Sequence, residues 1–113
     1  IPTYVLSHWA RDRHRGPKLT IEDAVKIQTL DTAKVMGFDD RGQLTVGKKA
    51  DINIIDMDTL ALGFPHAEDD LPAGGRRLLQ TATGYVATIV NGVITRRNGV
   101  DTGARPGRLV RSR

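Results

Sequence analysis

The sequence predicts an α+β chain, helices first and strands after, on three observations. Apolar residues recur at helical spacing as far as Gly37. From Gly42 onward the apolar residues are strand formers punctuated by glycine. Asn91-Gly92 then stands between two β-type runs.

Residues 2–13 set Val5, Leu6, Trp9 and Ala10 on one helical face, with Pro2 where a first turn tolerates it. Gly16 and Pro17 end that helix. Thr20 and Asp23 read as a capping pair ahead of Ile21, Ala24 and Val25, opening a second helix that runs to about Leu30. Asp31 or Thr32 is placed to cap a short third helix carrying Ala33 and Met36, which Gly37 ends in a left-handed conformation.

Beyond Gly42, the strand formers Leu44, Val46, Ile52, Ile54 and Ile55 take over. Residues 50–57 read as a strand whose nearly unbroken apolar run predicts burial on both faces rather than an exposed edge. Residues 58–84 keep no period and contain Gly63, Pro65, Pro72, Gly74, Gly75 and Gly84, so a long loop is expected there. The runs 85–90 and 93–97 flank Asn91-Gly92, the preferred two-residue hairpin turn because both positions must take positive φ. Asn98-Gly99 ends the returning strand, and residues 101–113, with Pro106-Gly107, read as an extended basic segment.

Composition narrows the function. With 39% hydrophobic and 27% charged residues, the 113-residue chain has ordinary globular proportions, enough for one modest core. No run approaches the roughly 18 apolar residues of a membrane span, and a cytoplasmic location without membrane contact is expected. The absence of cysteine excludes disulfides, thiolate metal sites and cysteine nucleophiles. A net charge of +4 admits a stand-alone basic module for anions or nucleic acid, but 4% aromatic residues offer little for base stacking, so nucleic acid is disfavoured.

Residues 42–52 read Gly-Gln-Leu-Thr-Val-Gly-Lys-Lys-Ala-Asp-Ile. Gly42 and Gly47 suit a tight turn, Leu44 packs, and Asp51, after Ala50, is placed to accept hydrogen bonds from loop amides beside the strand it opens. This pattern resembles the segment that returns amidohydrolases from their barrel to a small β-sandwich. Residues 3–12, residues 70–77 (Asp-Leu-Pro-Ala-Gly-Gly-Arg-Arg), the Asn91-Gly92 hairpin and residues 102–110 are similar to the N-acyl-D-amino-acid deacylase branch. The resemblance implies that residues 1–41 are terminal helices of a barrel domain. Residues 42–113 are then C-terminal strands of a small β domain, with the long loop at 58–84. A complete (β/α)₈ barrel needs roughly 250 residues, so this chain is expected to be a truncated or cleaved portion. Zinc is expected in the intact enzyme, held by an upstream His-x-His pair and other barrel ligands, with no cofactor and no catalytic residue in this segment. The upstream barrel is the implied partner, and the isolated chain is expected to self-associate.

Three polar groupings remain candidates. His8 and Asp12 lie four apart on a helix and can share a ligand, though an exposed polar face is the plainer reading. His66 with Glu68, Asp69 and Asp70 imitates an acid/base or cation cluster, but charge runs in loops are usually solvated. Arg76 and Arg77, after two flexible glycines, either hold a substrate carboxylate or anchor their loop, and anchoring is favoured.

Overall fold

The computed structural model describes residues 2–111. Two helical segments lead into antiparallel strands, the α+β order the sequence predicts. The first helix is α-helical over Pro2–Tyr4 and continues as a π-helix over Val5–Asp12, where the Arg13 amide reaches back five residues to the His8 carbonyl at 2.8 Å. The buried positions are Thr3, Leu6 and Ser7, while Trp9 is left 39% exposed. The expected face holds for Val5, Leu6 and Ala10 and fails at Trp9. Burial of the two hydroxyls is compensated, since Ser7 donates to the Thr3 carbonyl and Thr3 shares a 2.7 Å hydrogen bond with the Tyr85 hydroxyl.

The second helix opens as expected, with Thr20 Oγ1 accepting from the Asp23 amide at 3.0 Å. It does not stop at Leu30. The segments Ile21–Lys26, Ile27–Asp31 and Thr32–Val35 form one continuous helix, π-helical in the middle, and Asp31 has helical backbone angles and caps nothing. Donors from Gln28, Thr29 and Thr32 bond the carbonyls of Ala24, Val25 and Ile27, keeping the loosened backbone ladder satisfied without a break. Gly37 ends the helix at φ 70°, with its amide on the Lys34 carbonyl and the Phe38 amide on that of Ala33.

The strands are β1 (Ile52–Ile55), β2 (Ala61–Leu62), β3 (His66–Leu71), β4 (Gly75–Leu79), β5 (Ala82–Thr83), β6 (Tyr85–Val90), β7 (Val93–Arg97) and β8 (Val100–Asp101). The main sheet has the order β1-β6-β7-β8. Asn91 and Gly92 take φ 50° and 80°, the paired positive values the hairpin demands, and Asn98-Gly99 repeats the device to add β8. β1 is an edge strand with Ile54 48% exposed, which overturns the expected burial on both faces. An apolar run records a tendency to be covered, and within this chain β6 covers one edge of β1 only.

Residues 58–84 are not a loop. β2 pairs with β5 and β3 with β4, forming a hairpin arm that turns at Pro72–Gly74, where Ala73 and Gly74 both have positive φ. The arm escaped the period-two test because β3 is exposed throughout and carries Glu68, Asp69 and Asp70 in succession, leaving no apolar alternation to read. The core is small: Leu6, Ala24 and Leu60 pack together, flanked by Val5, Ala10, Ile55, Met57 and Tyr85. Arg11 fastens the first helix to it, donating to the carbonyls of Met57 and, at 2.8 Å, Leu60.

Candidate functional site

The motif of residues 42–52 forms a bracket between helix and sheet. Gly42, at φ 84°, lies so close to the second helix that a Cβ would stand 2.9 Å from Ala33 Cβ and 3.0 Å from the Thr29 carbonyl oxygen. Close approach, as much as turning, requires glycine there. The segment folds back on itself, the Lys49 amide bonding the Asp40 carbonyl at 2.7 Å, and Gly47 at φ 89° makes the turn in open space. Leu44 does not pack: it is 78% exposed, and with Val46 it borders an open depression beside Ile52. No strand forms at these two residues.

Asp51 does what its position suggests. One carboxylate oxygen accepts from the Asn91 amide at 2.8 Å, and the neighbouring Ala50 carbonyl accepts from the Gly92 amide at 3.0 Å. The other carboxylate oxygen takes Arg41 Nη1 at 3.2 Å. The hairpin turn is thus gripped by the motif 40 residues before it. Arg41, which the sequence reading passed over, also pairs with Asp40, and its guanidinium holds that carboxyl below the usual range. A lone arginine directly before a motif has no periodic signature, so only geometry finds it.

On the arm, Arg76 makes two hydrogen bonds to Asp69, at 2.7 and 3.0 Å, and Arg77 grips Asp70 with both prongs, one at 2.6 Å. The arginine hydrogen bonds hold both aspartates below the ordinary carboxyl range. Neighbouring strand residues face opposite sides, so one ion pair pins each face of the ribbon. His66 Nε2 lies 3.5 Å from Glu68 Oε1 on the same exposed ribbon. The expected cluster of His66, Glu68, Asp69 and Asp70 is therefore divided, with both aspartates engaged by arginines.

His8 and Asp12 are not brought onto a common ligand. The His8 ring stacks on Tyr4 at 4.7 Å between centroids, while Arg11 holds Asp12 in a fork at 2.6 and 2.9 Å. His14 lies exposed in the loop that follows. Among the described residues, no three histidine or acidic side chains are grouped to hold a metal ion.

Residues 3–96 match the amidohydrolase family model. The chain belongs to the amidohydrolase family. No match was found among curated proteins or among solved structures. The family match takes in both helices, the bracket of residues 42–52, the arm and the Asn91-Gly92 hairpin, and it stops within β7. Among the described residues, no group of side chains fits the zinc that such a family implies. None of the described helices is long and apolar enough to cross a membrane.

Proposed function

We propose that the chain is the C-terminal portion of a metal-dependent amidohydrolase acting on C–N bonds other than peptide bonds, with N-acyl-D-amino acids as substrates of the intact enzyme. In this reading residues 1–41 are the last helices of the barrel and residues 42–113 are strands of its small β-sandwich. The metal and the hydrolysis belong to the preceding barrel, and this portion braces it. The family match over residues 3–96 carries the reading. The N-acyl-D-amino-acid class is supported by the likeness of residues 3–12 and 70–77 to that branch.

Surface character supports the bracing role. Val46 is 102% exposed, Phe64 94% and Val35 87%, apolar side chains of a kind that a neighbouring layer of protein would cover. The radius of gyration is 16.1 Å, against about 13 Å for a compact domain of this length. Purified 113-residue chain with added zinc is expected to leave N-acetyl-D-amino acids intact, and hydrolysis by it overturns the non-catalytic role. The intact enzyme is expected to cleave N-acetyl-D- over N-acetyl-L-amino acids. Equal rates or the reverse preference overturn the substrate class.

A further inference from the structure

Residues 96–111 carry five arginines, no lysine and one acid, Asp101, a balance of +4 that equals the net charge of the whole chain. Everything else cancels. The charge is thus gathered at one end of the sheet. All five guanidinium-bearing residues are exposed, and among the described residues Arg96, Arg97, Arg108 and Arg111 form no ion pair.

The beginning of this segment is fastened to the sheet. Thr102 Oγ1 donates to the carbonyl of Ile94 at 2.8 Å, its amide bonds that of Thr95, and Arg105 forks onto Asp101 at 2.9 and 3.0 Å. Arg96 and Arg105 border one shallow depression with Thr95, Ala104 and Pro106. Beyond it the chain is irregular, with Leu109 82% exposed between Arg108 and Arg111.

We propose that residues 96–111 form a docking surface for an acidic protein segment, its carboxylates taken by Arg96, Arg108 and Arg111 and its apolar side chains by Leu109 and Val110. Charge complementarity selects an acidic partner, and the exclusive use of arginine favours planar, two-pronged recognition of carboxylate groups. Two features turn the choice from other polyanions. The segment has no aromatic residue on which bases could stack, and no amphipathic helix that could lie in a lipid interface. The exposed Leu109-Val110 pair suits a partner that alternates acid with apolar surface.

The test is fluorescence anisotropy of the protein with three labelled probes: a 16-residue peptide alternating Glu and Leu, a single-stranded DNA 16-mer, and vesicles containing phosphatidylserine. Tightest binding to the peptide is expected. It should weaken at least tenfold in the triple variant Arg96→Gln, Arg108→Gln, Arg111→Gln and several-fold in Leu109→Ser, with circular dichroism unchanged. Absence of peptide binding, binding indifferent to these substitutions, or tighter binding to DNA or vesicles overturns the proposal.

Discussion

At the scale of single residues, two glycines and an aspartate set the geometry. Gly84, at φ 89°, meets the turn after β1 so closely that a Cβ would stand 2.6 Å from Leu60 Cα and 3.0 Å from the Asp56 carbonyl oxygen. Backbone atoms cannot step aside as a side chain can. Gly84→Ala is therefore expected to cost about 1–3 kcal/mol or more, read as a lower urea midpoint at unchanged slope. Asp51→Ala removes an acceptor from the Asn91 amide and a partner from Arg41, and should cost about 1 kcal/mol. Its signature is faster amide exchange at Asn91. The glycines of residues 42–52 were legible as turn formers, whereas the approach of Gly42 to the second helix, 9 residues from Ala33, was not, since proximity is not written in spacing.

At the scale of elements, the hairpins divide by how their sequence announces them. Asn91-Gly92, between strands rich in β-branched residues, and Asn98-Gly99, after Arg96-Arg97, both mark turns that form. The arm of β2 to β5 carries its charges on β3 and β4 around a Pro-Ala-Gly turn, and the β3–β4 pairing rests on hydrogen bonds and two arginine forks rather than on burial. A two-stranded ribbon is marginal in water by itself. Arg76→Ala or Arg77→Ala is expected to speed amide exchange across β3 and β4 and, in the intact enzyme, to lower the melting temperature with kcat/KM unchanged. A raised KM with an unchanged melting temperature would instead place these arginines on the substrate carboxylate. The second helix teaches the converse lesson. Asp31 and Thr32 have cap chemistry, but a continuous ladder of side-chain and backbone bonds made a new start unnecessary.

At the scale of the whole molecule, charge and exposed apolar surface govern behaviour. Hydrogen bonds from Arg11, Arg41, Arg76, Arg77 and Arg105, and from the Thr59 hydroxyl, hold Asp12, Asp40, Asp69, Asp70, Asp101 and Asp56 below the ordinary carboxyl range. Because folding lowers these values, the unfolded chain binds more protons in acid. Stability is complete above the unfolded aspartate value of about 3.9 and declines as pH falls through the folded ones. Thermal melts between pH 2.5 and 6 should show that loss, and 1 M salt should shrink it because the pairs are exposed. The uncovered edge of β1, with Leu44 and Val46 beside it, predicts that the isolated chain self-associates. Light scattering tests this, and a well-dispersed monomer counts against it.

The order of helices and strands, both Asn-Gly turns, the Thr20 cap and the glycine stop at Gly37 were determined by sequence alone, because each depends on local backbone preference. The amidohydrolase resemblance also lay in the sequence, carried by residues 42–52. Tertiary structure decided which side of each element faces protein. It put β1 at an edge, left Leu44 outside, turned Trp9 outward and paired residues 61–83 into an arm. The arm was hidden because its acidic β3 offers no apolar alternation, and the other three share one physical reason. Apolar spacing records which residues gain from burial, but burial requires a covering layer, and only the assembled neighbours determine where one lies.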